Sequence, residues 1–240
     1  MKKFNHLYKE VVMEQLIQEG VYDPGIFKAF FLAGGPGSGK SFVTASAFAA
    51  TGLKVVNSDA AFERGLTQAN LSLKMPNEEE YFRNLIRTRA KTTARSQLDV
   101  YLQGRLGVVI DATGRDLGKV SSDYNKLKAL GYDCYMIFVN TSLDIALERQ
   151  KGRNRQVPEY VVRSNWKKVQ QNMGSFQHIF GRSNFLLIDN NKSEAELVSL
   201  TLKKAANFVR SNLRTKPNNY IAKQWIVKEL EARKRIWKTF

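Results

Sequence analysis

The run Gly34-Gly35-Pro36-Gly37-Ser38-Gly39-Lys40-Ser41 satisfies the pattern G-x-x-x-x-G-K-[ST], and each residue type in it has a chemical use. Glycines let the backbone turn so that successive N–H groups point into one concavity and meet phosphate oxygens. A helix starting at the end of the run adds the positive end of its dipole. Lys40 places a cation on the β- and γ-phosphates, Ser41 offers a hydroxyl to Mg²⁺, and Phe42 completes the binding segment. The pattern predicts ATP and Mg²⁺ as the bound partners.

Two aspartates stand where a second half of such a site belongs. Asp59 closes Val55-Val56-Asn57-Ser58-Asp59, and Asp111 follows Val108-Val109-Ile110. In open parallel sheets, ligands bind outside the carboxyl ends of the strands. Transfer to a hydroxyl calls for one carboxylate to orient or accept the acceptor's proton and another near the metal. Asp59 is the candidate base and Asp111 the candidate metal-side carboxylate with Ser41, an order that periodicity neither fixes nor excludes from exchange. Each has a plainer competing role, helix N-cap for Asp59 and turn stabiliser for Asp111. A third group, Arg149, Arg153 and Arg155, lies within Leu147 to Pro158. Arginine's planar fork matches phosphoryl oxygens, and Gly152 offers a hinge for a flap that closes over ATP. The competing reading is a solvated basic turn.

These residues need a scaffold that presents loop, aspartates and arginines on one rim. Short apolar runs at 26–33, 53–56, 107–110, 132–139 and 185–188 read as strands. Helical spacing reads at 4–20, 41–50, 78–103, 119–130, 142–151, 159–171, 193–211 and 220–240, while 60–75 gives no clear period. Alternation of buried strands with helices predicts an α/β, three-layer sandwich with a five-stranded parallel sheet, a short Arg-rich lid and an appended basic C-terminal helix. The expected division is an N-terminal helix over 1–25, a core domain over 26–215 and a basic extension over 216–240.

Composition narrows the function classes. The 240 residues include 43% hydrophobic, enough for a sizeable core. The single Cys134 excludes an internal disulfide and a thiolate zinc site, and its apolar surroundings predict a buried strand thiol. His6 and His178 lack metal-ligand spacing, so Mg²⁺ is the one metal expected. No apolar stretch reaches the ~18–20 residues of a membrane span, and the expectation is a cytoplasmic protein without membrane contact. The net charge of +16 favours polyanionic partners. Eleven lysines and arginines against Glu229 and Glu231 crowd residues 201–240, interleaved with Phe208, Tyr220, Trp225 and Trp237. Cations track phosphates and rings stack on bases, so nucleic acid is one expected partner of this tail; solvated cations and core-packed tryptophans are the other reading.

Together, Gly34–Ser41, Val55 to Asp59, Val108 to Thr113, and Arg149 to Pro158 with Val161, Val162 and Trp166 resemble the zeta-toxin and polynucleotide-kinase branch of P-loop kinases, a group common in bacteriophages. The resemblance spans roughly residues 26–190. It implies a P-loop NTPase core with a lid, the host cytoplasm for a phage protein, Asp59 as base, and Arg149, Arg153 and Arg155 as lid arginines. The polynucleotide kinases usually carry Asp-Asp and a nearby arginine after the second strand, where this chain has Asp59-Ala60 and, farther on, Arg64. The expected activity is ATP-dependent transfer of the γ-phosphoryl group to a hydroxyl of a nucleic acid, as 5′-hydroxyl or hydroxymethylated base, or of a nucleotide. A kinase of a sugar nucleotide and a non-catalytic nucleotide-binding regulatory module stand as alternatives. Oligomeric state is not legible.

Overall fold

The computed structural model describes residues 20–111, 113–153, 155, 157–191 and 195–237. The helix expected over 4–20 lies, Gly20 apart, outside them.

Strand β1 (Lys28–Ala33) is buried along its whole length, as a central parallel strand must be when helices cover both faces. It pairs on one side with β3 (Val108–Asp111) and on the other with β4 (Asp133–Asn140). Outside these lie β2 (Lys54–Val56) and β5 (Phe185–Asp189), so the sheet is parallel with order β2-β3-β1-β4-β5. The chain leaves β1 toward one edge, returns through β3 and crosses to the other half. The switch point therefore sits at the carboxyl end of β1, beside the glycine run.

Alternation along β1 separates two cores. Phe31, Ala29 and Ala33 face the side covered by α3 (Glu80–Gln103), α4 (Leu117–Ala129) and α6 (Glu159–Phe180). Phe30 and Leu32 face α1 (Lys40–Ala47) and α7 (Ala195–Arg214). Each fully buried phenylalanine contributes about 1.5–3 kcal/mol of apolar transfer. Cys134 is buried in the first core, and burial pushes its thiol up to about 12.

Three differences from the expected elements have local causes. Helix α2 (Asp59–Gln68) forms in the stretch without a clear period. Its Phe62 and Leu66, one turn apart, are buried, and Asp59 in the first turn suits the helix dipole. Helix α6 runs on to Phe180, past the expected end at 171, because Val169, Phe176 and Phe180 keep burying one face. Gly174 within it sits in open space and breaks nothing. Helix α8 (Tyr220–Trp237) is not merely appended: Ala222 is buried and Trp225 meets the Phe27 ring edge-on at 5.4 Å.

That docking has a polar anchor. The Lys28 ammonium, fully buried, donates to Asp133 at 3.1 Å, and Asp133 also accepts the backbone N–H groups of Asn218 and Asn219 just before α8. Helix α5 (Leu143–Lys151) follows β4 and starts at the N-cap Ser142.

Candidate active site

The glycine run bridges β1 and α1, the strand–loop–helix context its pattern requires. Gly37 (φ 81°) and Gly39 (φ 93°) both hold left-handed backbone. Space demands glycine at both positions too. A Cβ on Gly37 would lie 2.3 Å from the Ala146 carbonyl oxygen of α5, and one on Gly39 would lie 2.3 Å from Asn190 Nδ2. The loop is held from several sides. Gly34 N–H donates to the Thr113 carbonyl at 3.1 Å, and Asn190 Nδ2 donates to the Ser38 carbonyl at 2.7 Å. Trp166 of α6 backs onto Gly35 and donates its indole N–H to the Thr141 carbonyl at 2.7 Å.

Lys40 curls under the loop, its Nζ donating to the Gly34 carbonyl at 2.7 Å and, less closely, to that of Gly35. Desolvation holds its ammonium below the ordinary value. Asp111 and Asp59 pull it back up, while Arg153 and Arg155 push it down. Two buried polar atoms here lack a hydrogen-bond partner among the described residues, Ser38 Oγ and Arg149 Nη1. A cleft of about 330 Å³ opens beside them, lined among others by Phe42, Arg149, Arg153 and Asn190. Orphaned donors, a glycine cradle and a lysine fit a polyphosphate.

On the opposite flank lie the two aspartates. Val56 is in register with Ile110, so Asp59 and Asp111 emerge from neighbouring strand ends. Asn57 links them: its Nδ2 donates to Asp111 Oδ2 at 2.7 Å, and its Oδ1 accepts the Asp59 N–H at 2.7 Å. Burial raises the Asp111 carboxyl above its ordinary value, Lys40 opposes the rise, and Asp59 adds to it. Ser58 occupies the N-cap position of α2, so Asp59 is not the capping residue. The Asp59 carboxylate instead meets the Arg155 fork, at 3.0 Å and 3.4 Å.

The arginine segment divides. Arg149 and Arg153 line the cleft by the glycine loop. Arg155 sits across from them, its Nε 2.9 Å from Glu63 and its other nitrogens on Asp59. Asp59 and Glu63 are one turn apart on α2 and share that single guanidinium. Beneath it, the Phe62 ring is stacked by Arg87 at 3.9 Å.

Ser41 and Asp111 are the metal-side pair expected from sequence, and Ser41 is exposed at the start of α1. No group of three or more His, Cys, Asp or Glu side chains suited to a metal occurs among the described residues. One hydroxyl and one carboxylate suit Mg²⁺, which keeps waters and substrate phosphates as its other ligands.

Asn57, Glu63 and Asn190 were not singled out by type and spacing. Asn190 had a usable signal, since it follows β5 at a strand's carboxyl end. Glu63 needed the α2 assignment first. Arg83 of α3 is buried and donates to the Pro76 carbonyl at 2.7 Å, so it is turned away from the site. Trp225 is spent on the core, while the Trp237 side chain lies outside the described set.

A family model described as AAA domain matches residues 30–175, more than half of the chain. The chain belongs to this AAA domain family (AAA_33). The matched span contains the glycine run, both aspartates and all three arginines. Among solved structures, one described as a candidate kinase from Chloroflexus aurantiacus j-10-fl is 14% identical over 79% of this chain and 100% of its own, with a TM-score of 0.54. The AvrRxo1-ORF1:-ORF2 structure with ATP is 13% identical over 87% of this chain and 85% of that one, with a TM-score of 0.52. These likenesses show a shared P-loop kinase-like fold. Among curated proteins none matches.

Proposed function

We propose that this AAA-domain protein is an ATP- and Mg²⁺-dependent phosphotransferase that moves the γ-phosphoryl group to a hydroxyl of a nucleic acid or nucleotide. The observation that carries the reading is the glycine loop itself, with Ser38 Oγ and Arg149 Nη1 buried and unpartnered at its side. Gly34 to Phe42 hold the triphosphate, and Lys40 exchanges its loop carbonyls for phosphate oxygens. Ser41 and Asp111 hold the metal, which when bound neutralises charge on the transferring group. Arg149 and Arg153 close on the nucleotide from the lid. Asp59 orients the acceptor hydroxyl and takes its proton, and Arg155, fixed by Glu63, aims that carboxylate. The resemblance to the zeta-toxin and polynucleotide-kinase branch supports the same assignment.

A screen with γ-labelled ATP tests it, using 5′-hydroxyl DNA and RNA, DNA with hydroxymethylated bases, nucleoside monophosphates and sugar nucleotides. Label is expected in a nucleic acid or nucleotide acceptor and is lost in Lys40→Ala, which keeps the wild-type melting profile. Undiminished turnover by Lys40→Ala removes the loop from the chemistry. Label in a sugar nucleotide alone transfers the reading to that acceptor class.

A further inference from the structure

Helices α3 and α4 cover the same face of the sheet, and each runs antiparallel to the parallel strands beneath it. They are therefore parallel to each other, and paired charges rung them together. Asp99 meets Lys126 at 2.7 Å, and about one turn earlier Arg95 meets Asp123 at 2.8 Å. Another four residues toward both N-termini stand Lys91 and Lys119, near enough for the Lys119 charge to act on Lys91. This rung has two cations where the others have opposite charges.

The excess extends along both elements. Arg87 lies one turn before Lys91 on α3, and Arg115 precedes α4. Charged groups acting on Lys91 are Arg87, Arg115 and Lys119, all cations; with desolvation as the larger cause, they hold its ammonium below the ordinary value. Asp59 acts favourably on Arg87, while Arg155, Arg115 and Arg83 oppose it. The acid next along the chain, Asp116, is engaged in capping α4 by accepting the Lys119 N–H at 2.9 Å. The arginines are held in place. Arg87 stacks on Phe62, and Arg115 donates to Asn165 Oδ1 at 3.1 Å while Asn172 grips the Gly114 and Arg115 carbonyls. Lys91, Arg115 and Lys119 are exposed to solvent.

Repulsion at this rung weakens α3–α4 packing where the next two rungs strengthen it. A bound anion reverses the sign. The rung lies at the strand ends on the Asp59 flank, away from the Arg149 cleft. Four neighbouring cations, two of them planar forks, suit phosphate better than carboxylate.

We propose that Lys91 and Lys119, with Arg87 and Arg115, form an anion subsite that holds a phosphate ester of the acceptor, from a mononucleotide or a strand backbone. The proposal deepens the phosphotransferase reading and rests on it for the word acceptor.

The test uses the full chain and Lys119→Glu, which completes the ladder by placing a carboxylate near Lys91. Its melting temperature is expected at or above that of wild type, so lost binding will not reflect lost folding. The probe is 3′-fluorescein-labelled 5′-hydroxyl dT8, titrated by anisotropy without ATP at several salt concentrations. Lys119→Glu should bind at least about tenfold more weakly at 0.1 M salt. Its log–log salt slope should be shallower by about 1.4, at roughly 0.7 per lost single-strand contact for two contacts. A charge-matched control, Lys203→Ala with Arg210→Ala on α7, should keep the wild-type slope. Competition by thymidine 3′-monophosphate but not by thymidine assigns the subsite to a single nucleotide phosphate. Competition by neither, with strand binding still sensitive to Lys119→Glu, assigns it to the polymer backbone. Wild-type affinity in Lys119→Glu, equal losses in the α7 control, or no saturable binding of the dT8 probe to the wild type overturns the proposal. Failure of the phosphotransferase reading would appear elsewhere, as no Mg-ATP heat in calorimetry.

Discussion

Gly37→Ala isolates the geometric claim about the nucleotide cradle. The substitution adds one carbon, and two costs follow from its placement. A left-handed conformation costs an L-residue roughly 1–2 kcal/mol. The new Cβ would also stand 2.3 Å from the Ala146 carbonyl oxygen and 3.0 Å from its Cα. A carbon–oxygen contact normally needs roughly 3.3 Å, so loop and α5 must part by about 1 Å. Misplacement of that size costs on the order of 100-fold in a positioned reaction, about 2.7 kcal/mol. Gly52→Ala is the control: its φ is 75°, yet nothing lies within 4 Å of the added carbon. Gly52→Ala should lose about 1–2 kcal/mol of stability, a melting shift of roughly 2–8 °C at this chain length, and Gly37→Ala should lose more because it also carries the clash. Only Gly37→Ala should lose Mg-ATP affinity or turnover about 100-fold, read by calorimetry and γ-phosphate release. Wild-type ATP binding by Gly37→Ala, or an equal loss in Gly52→Ala, would refute the close packing of loop against α5.

Asp111→Asn should abolish Mg²⁺-dependent turnover yet stabilise the nucleotide-free protein. Burial raises the carboxyl above 3.8, so the stability it contributes is full below pH 3.8 and is lost as pH rises through the raised value. The variant's melting temperature should accordingly exceed wild type at pH 7 and approach it in acid; a lower value at pH 7 contradicts the desolvation argument. Lys28→Met leaves Asp133 with only the Asn218 and Asn219 donors, and breaking a buried pair costs about 3–5 kcal/mol, at the lower end here. A melting drop of roughly 6–12 °C is expected. Burial lowers the wild-type Lys28 ammonium below 10.5, so wild-type stability from this group rises with pH up to 10.5, and the variant loses that slope. A pH-independent difference between the two proteins would contradict that assignment.

Much of this molecule was legible from residue order alone. Five apolar runs marked five strands; β3, β1 and β4 stand out most, because a central parallel strand must be apolar on both faces, while the edge strands β2 and β5 are legible from their β-rich composition alone. The glycine run was legible because a phosphate cradle depends on backbone freedom and on consecutive N–H groups, which are local properties. Strand-end position was enough to nominate Asp59 and Asp111. The short α2 was not legible, since its case rests on Phe62 and Leu66 finding a pocket under α3. Only tertiary structure divided the arginines, setting Arg149 and Arg153 by the loop and Arg155 on Asp59 and Glu63, ninety-odd residues earlier in the chain. The same holds for Trp225 on Phe27 and for Asn57 tying the two aspartates. Each is a relation between distant segments, and distance in space depends on how strands order and helices cross, which periodicity along one segment does not encode.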